Sequence, residues 1–532
     1  MILQEFMDLR AARGRHAGSP VPIADERPWL ATLGRWSGAG GVLAAAWLIR
    51  AIGITTSYDV FIDEVTYSNI ARSLASGGGL VLYGKPFDLH PPAAFALYAL
   101  AIKVFSLHGP VASVLFGLRP FVALLGAMTC AVVFLLVSGV ARWQVGMVAA
   151  VVVALDPFQI FYDSHVMLEA PAQLASAVTV LLLALSLRGR SERESWTLVI
   201  LAGLAAGTAL CAKEYFGLVM ALALLICLIT GWVLERAKAA AALGLMLGSF
   251  VLSEALTIVT SGFHQWWVQV GSGLLRLVGS QQTTGFNSSA VHVSFLSRAA
   301  ADAPHYGVTY LILGAGSIAG FLQLVGVWRR RSQWRHMAEG KDRGRLLVAI
   351  WAVAAAAYVF YATALGTLEE QVYYLLLAPA LCTLVLGAAH ALPRWSPHWR
   401  KLAVALTGVV LVADSAVWVA VHRTPDAEYR QLLSWESEHV RTGSTVAVTD
   451  TIAQFLLPDV VLGDWATIPA LKAHHVDYVL VNTSLTSQGY GLATPEFQRY
   501  LQAHATVVFR ATGPTDGALV VYDVQSITGA GR

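Results

Sequence analysis

Apolar runs of bilayer-spanning length recur between residues 38 and 421 of this chain, separated by short charged segments. A spanning helix needs about 20 predominantly apolar residues. The pattern predicts spans near 38–56, 118–138, 146–158, 171–187, 197–211, 215–232, 239–260, 308–327, 346–366, 371–390 and 401–421, about eleven in all. One further apolar segment, 93–107, fails the length test. Pro91-Pro92 opens it and Lys103 interrupts it, leaving a run of only about ten residues. It reads as a re-entrant or outer-interface helix within a first outer loop over 57–117.

After residue 421 the period changes. Tyr429–Val440 alternates as an amphipathic helix, and Thr445–Val448, Val476–Val481, Ala505–Phe509 and Leu519–Tyr522 read as strands. Helical patterns near 466–474 and 495–503 lie among them. This alternation predicts a small α/β domain over 422–532 with a partly parallel sheet. It holds no glycine-rich fingerprint for a nucleotide. The predicted organisation is a tail (1–37), a polytopic α-helical membrane region (38–421) and this C-terminal domain.

Composition agrees with the membrane reading: 56% of the residues are hydrophobic and 13% charged, against roughly 25% charged in soluble domains. A net charge of +3 without a basic, aromatic-interleaved patch argues against a nucleic-acid partner. The four cysteines all lie in apolar runs, spaced neither for zinc nor for a disulfide framework. The first forty residues show no compact apolar core with a cleavage site, so no removable signal peptide is expected.

The Lys/Arg distribution orients the spans. Alternate segments carry five in the N-terminal tail, one at Arg142, three at 188–193, two at 236–238, seven at 329–345 and three at 394–401. The opposite side holds seven before the C-terminal domain: Arg72, Lys85, Lys103, Arg119, Lys213, Arg276 and Arg298. The positive-inside rule puts the N-terminus in the cytoplasm of a cytoplasmic-membrane protein. An odd number of spans then places 422–532 outside.

Ionisable residues within spans are costly and mark function by default. Arg50, Glu254 and Asp414 fall in the outer halves of their spans, and Arg50 is expected to pair with Glu254 or Asp414. Asp59, Asp63, Glu64, Asp88, His90, Asp156, Asp163, His165, Glu169, Lys213, Glu214, Glu369 and Glu370 gather on the outer side. A secondary transporter should instead carry such groups near the midplane, on broken helices in paired repeats.

The first outer loop carries Asp63-Glu64, Tyr67 three residues on, Ala71-Arg72, Gly77-Gly78-Gly79 and His90-Pro91-Pro92. In these residues the chain strongly resembles the GT-C membrane glycosyltransferases that use polyprenyl-phosphate sugars. Within them it is similar to glycosyltransferase family 39, the protein O-mannosyltransferases and lipid A aminoarabinose transferases. Asp156-Pro157 through Phe161-Tyr162 to Met167-Leu168-Glu169-Ala170-Pro171 resembles the family's second outer loop, where an Asp usually stands at the position of Glu169. Ala212-Lys213-Glu214 matches a basic residue between two later spans, and Tyr373-Tyr374 to Pro379 resembles a late tyrosine element. That element's usual preceding basic residue is absent; Glu369, Glu370 and Gln371 stand there.

The resemblance implies a GT-C fold and transfer of a sugar from a polyprenyl-phosphate carrier to a hydroxyl on a protein, lipid or polysaccharide. Attack by a hydroxyl on an anomeric carbon needs a carboxylate to take its proton, and a leaving lipid phosphate needs cationic donors. Asp63 matches the family's catalytic aspartate as general base. Glu64 is expected to orient substrate or share that role, and Glu169 to supply a third carboxylate. Lys85, His90, Arg72 and Lys213 are the candidate phosphate donors; Tyr67, Tyr162, His165 and Glu214 are candidates for substrate contact. A single displacement would invert the anomeric configuration. No spacing demands a metal or cofactor, although the carboxylates would accept a divalent cation. The competing readings are a transporter or flippase of lipid-linked glycans and a non-catalytic envelope scaffold. A polar loop over 261–307 is expected above the cleft, with Gln281–His292 as a lid.

Overall fold

The computed structural model describes residues 28–189, 191–280, 295–331, 333–334, 340–365, 368–457, 460–488 and 492–529. The expected lid, Gln281–His292, lies outside them, as do the first 27 residues of the expected tail. Eight described helices are long and apolar enough to cross a membrane. They are α4 (Val111–Val140), α7 (Glu169–Ser186), α8 (Glu192–Ala212), α10 (Arg236–Ser261), α12 (Phe295–Arg329), α13 (Gly340–Leu365), α14 (Val372–Ala391) and α15 (Pro397–Arg423). A ninth candidate is the pair α5 (Trp143–Leu155) and α6 (Pro157–Asp163), bent by 63°. Pro157 supplies the break, because it has no N–H to continue α5, and Asp156 caps the second piece by accepting from the Gln159 amide. Further apolar helices include α1 (Pro28–Ala51) and α9 (Glu214–Thr230).

Between α1 and α4 the chain forms α2 (Ile62–Ala75), the hairpin β1 (Val81–Leu82) and β2 (Lys85–Pro86), and α3 (Ala93–Val104). At 12 residues α3 rises only about 18 Å, too short to cross. The 261–307 region differs from the polar loop expected of it. It contains α11 (Phe263–Leu277), which leaves Phe263, Trp267, Val268, Leu274 and Leu275 exposed. These apolar residues recur at helical spacing and are turned outward, the pattern of a helix that lies along a membrane surface.

The chain from residue 428 builds a five-stranded sheet of order β4-β3-β5-β7-β6. Its strands are β3 (Thr445–Val448), β4 (Val461–Gly463), β5 (Tyr478–Asn482), β6 (Thr506–Gly513) and β7 (Gly517–Asp523). β3 pairs in parallel with β4 and β5, whereas β7 runs antiparallel to β5 and β6. Strand alternation sorts the side chains into two cores. Val446, Val448, Leu480, Leu519 and Val521 pack with Val60, Val65, Val111 and Leu115 of the first outer loop and α4. Ala447, Val479, Val481, Val520 and Tyr522 pack instead with Phe497 and Leu501, from the amphipathic helix Pro495–His504. One face of the sheet is thus seated on the segment that carries Asp63 and Glu64.

Candidate active site

α2 opens with two acids in its first turn, where the helix dipole favours negative charge. At about 100° per residue, Asp63 and Tyr67 share a face, and Arg72 lies on the opposite one. Glu64 points inward and is fully buried. Arg119 of α4 grips it with Nε to Oε1 and NH2 to Oε2, each at 2.8 Å, and the Val166 amide donates to Oε1 at 3.0 Å. The same guanidinium donates to the carbonyls of Ile54, Tyr58 and Asp59 at 2.8–3.0 Å. Five hydrogen bonds from one arginine fix the whole approach to α2. Both Glu64 oxygens are committed to this clamp.

A second buried pair braces the other side. Arg50 Nε donates to Asp163 Oδ2 at 2.8 Å, and Tyr374 and Gln159 donate to the same carboxylate. The expectation that Arg50 pairs with Glu254 or Asp414 is corrected here. Glu254 accepts from the Trp266 indole at 2.6 Å instead. A Cβ at Gly126 would fall 2.1 Å from the Asp163 carboxyl, so glycine at this point of α4 is what lets α6 approach closely enough for the pair. His165 is also structural in its contacts, with Nδ1 at 2.7 Å from the Phe161 carbonyl and Nε2 at 3.0 Å from that of Asp59.

The reactive-looking groups converge on the remaining face of α2. Lys213 sits in extended backbone between α8 and α9, which turns its side chain into the protein beneath Asp63. Its Nζ lies 3.5 Å from Glu169 Oε1 and over the rings of Tyr67 and Tyr215, 5.8 and 5.4 Å from their centroids. Tyr215 donates its hydroxyl to Glu169 Oε1, and Glu169 Oε2 is buried with no partner among the described residues. His90 Nδ1 lies 3.1 Å from Glu214 Oε1, and its ring meets Tyr67 edge-on. Burial pushes the Asp63 carboxyl up to about 6; Lys213 and His90 pull it down while Glu369 and Glu169 push it further up. Asp63 accepts no hydrogen bond from any described residue, leaving it open to an incoming hydroxyl. A carboxylate of that pKa beside a buried ammonium and an imidazole can accept a proton and hold an anion at neighbouring points.

Of the predicted site residues, Asp63, Tyr67, His90, Glu169, Lys213 and Glu214 come together. Tyr162 borders them in an aromatic cluster, its ring tilted against those of Tyr374 at 5.6 Å and Phe158 at 4.8 Å. Lys85 is exposed on the β1–β2 hairpin. Arg72 donates to the Gly109 carbonyl at 3.0 Å and lines a separate cavity of about 670 Å³ with Asn69, Tyr83 and Phe455. Neither belongs to the Asp63 cluster. Sequence reasoning missed Arg119 as the partner of Glu64, Tyr215 as the donor to Glu169, and Glu369 as a close electrostatic neighbour of Asp63. Arg119 was visible as a charge inside an apolar helix; the other two left no signal beyond their nearness to Lys213 and Tyr373.

Residues 42–259 match the family model described as dolichyl-phosphate-mannose-protein mannosyltransferase. Among solved structures, ArnT from Cupriavidus metallidurans bound to undecaprenyl phosphate is similar at a TM-score of 0.57 and 14% identity, over 92% of this chain and 98% of that one. The Archaeoglobus fulgidus oligosaccharyltransferase AglB, in complex with an inhibitory peptide and a dolichol-phosphate, is similar at 0.53 and 13%, over 91% of this chain and 74% of that one. No curated protein sequence matches the chain. The chain is a multi-pass membrane protein with the GT-C fold. The family match spans the Asp63, Glu169 and Lys213 segments and stops short of the α/β domain.

Proposed function

We propose that this protein transfers a sugar from a polyprenyl-phosphate carrier to a hydroxyl acceptor at the extracytoplasmic face, by a single inverting displacement. The observation that carries the reading is the meeting of Asp63, raised to about 6, with the buried Lys213 at the lip of the helical bundle. Asp63 takes the acceptor proton. Lys213 and His90 receive the phosphate that leaves, and Tyr67 and Tyr162 wall the sugar. Glu169 and Glu214 hold Lys213 and His90 in place, and Glu64 positions α2 through Arg119 rather than touching substrate.

The polyprenyl phosphates bound in the two similar structures support the donor class. Eleven crossings follow if α1, the bent α5–α6 pair and α9 each span beside the eight long helices. This parity, with the Lys/Arg bias, puts the N-terminus in the cytoplasm and the α/β domain outside. That domain covers α2 and is placed to present the acceptor.

The test is a transfer assay with purified protein in liposomes, offered a panel of polyprenyl-phosphate sugars and a crude envelope acceptor. Transfer from one donor that disappears in Asp63→Asn while donor binding persists supports the reading. Transfer undiminished in Asp63→Asn would sink the role of Asp63, and translocation without transfer would turn the protein into a carrier.

A further inference from the structure

A second group of acids gathers around Asp59, four residues before Asp63 in the extended approach to α2. Asp59, Glu428 and Asp516 are all buried, and their carboxylate oxygens lie within 4.8 Å of one another. They come from three separate parts of the chain: the approach to α2, the first residue of the helix Glu428–His439, and the turn between β6 and β7. Asp426, also buried, adjoins them, accepting from the amide of Asp59 at 3.3 Å and from the amide and hydroxyl of Thr515. No Lys, Arg or His among the described residues pairs with any of the four. Arg119 and His165 both reach only the main-chain carbonyl of Asp59, each at 3.0 Å.

The hydrogen bonding is uneven within the group. Asp59 is satisfied, accepting from the amides of Val60, Glu428 and Tyr429 at 2.7–3.3 Å. Asp516 uses one oxygen on Asn482. Its other oxygen, and both oxygens of the fully buried Glu428, have no donor among the described residues. Space is reserved for that unpaired carboxylate: a Cβ at Gly513 would come within 1.8 Å of Glu428 Oε1. Burial first, then hydrogen bonding and repulsion from Asp59, raises the Glu428 and Asp516 carboxyls well above the usual carboxylate range. Buried carboxylates with no donor are costly unless they take up a proton or something positive lies between them.

We propose that Asp59, Glu428 and Asp516 bind a calcium ion that bolts the C-terminal sheet to the segment leading into Asp63. The donor set contains oxygen alone, which selects hard cations over zinc or copper. Carboxylates contributed by three separate segments suit calcium, which accepts six to eight oxygens in irregular geometry, better than magnesium, which keeps its waters. The ion replaces the missing hydrogen-bond donors of Glu428 and Asp516 and neutralises the acids that otherwise repel across the junction. It stands apart from the sugar-transfer chemistry.

The full chain in detergent, freed of metal with EGTA, is melted with and without added Ca2+, and Tb3+ is used as a luminescent probe excited through nearby tyrosines. The expected result is a rise in Tm of several degrees with Ca2+, and Tb3+ emission that Ca2+ quenches. Both disappear in Glu428→Gln and Asp516→Asn and persist in Asp63→Asn. A Tm indifferent to EGTA and Ca2+, or a Ca2+ response that survives in Glu428→Gln, would overturn the proposal. In the first of those outcomes the acids share protons; in the second the ion sits elsewhere. Neither readout depends on catalysis, so failure of the sugar-transfer reading leaves this test intact.

Discussion

Two acid clusters stand four residues apart in the chain, and they are balanced in opposite ways. Around Asp63, the carboxylates of Glu169 and Glu214 each face a nitrogen, Lys213 Nζ at 3.5 Å and His90 Nδ1 at 3.1 Å. Around Asp59, Glu428 and Asp516 face only one another and neutral donors. Both are built on carboxylates, the second more deeply buried than the first, and the counter-charge differs. A cluster with built-in cations can release and accept a proton or a phosphate near neutrality, because no ion has to come and go. A cluster without them is a lock, held by whatever positive species it takes up. Arg119 stands between the two and belongs to neither, its charge spent on Glu64.

That separation can be broken in graded ways. The largest effect is expected from Arg119→Met, which strands the buried Glu64 carboxylate and frees the carbonyls of the approach to α2. Removing one partner of a buried pair costs about 3–5 kcal/mol. A thermal melt should show that loss, and Glu64→Gln in the same chain should recover part of it. Recovery of nothing would mean that the carbonyl contacts, rather than the ion pair, carry the stability.

Lys213→Met turns the first cluster into one resembling the second. We expect a fall of about 10²–10³-fold in kcat/KM, comparable to deleting one charge-stabilising donor, with weaker binding of the polyprenyl phosphate. An unchanged affinity for the carrier would remove Lys213 from the phosphate site. The pH profile sharpens the same point. Asp63 must be ionised to act as base, so activity is present above its pKa and lost as pH falls through about 6. An exposed aspartate would instead hold activity down to about 4. Because Lys213 pulls that value down, Lys213→Met should move the acid limb to higher pH. A limb near 4 in the wild type would show that Asp63 is not the titrating base.

The smallest effects belong to the cations outside both clusters. Lys85→Ala and Arg72→Ala should each change transfer by less than about fivefold, in keeping with the 0.2–1 kcal/mol of exposed charge contacts. A larger loss in Arg72→Ala, seen in KM for acceptor but not for donor, would assign the cavity beside Phe455 to acceptor binding.

Much of this molecule was legible in its hydropathy. Long apolar stretches can resolve only as helices where no water satisfies the backbone, so the eight long spans fall where the runs predicted them. The short segment 93–107 was separable on length alone, and it forms the 12-residue α3. Asp63, His90, Glu169 and Lys213 were legible because each sits beside a break in an apolar run. The amphipathic α11 was hidden by the Ser, Gln and Gly residues around it, which lower the average over the loop that its apolar face would otherwise raise.

The sequence by itself determined the local quantities: which stretches leave water, where they break, and how many charges stand at each break. Only the tertiary structure decided which charges meet. Glu64 and Arg119 are 55 residues apart, Arg50 and Asp163 are 113 apart, and Asp59 and Glu428 are 369 apart. The physical reason is that burial and dipoles act along a few turns of chain, whereas a charge takes its pKa and its partner from whatever packing brings within a few ångströms. Asp63 and Asp59 look alike in the sequence. They differ because one is folded against Lys213 and the other against two more acids.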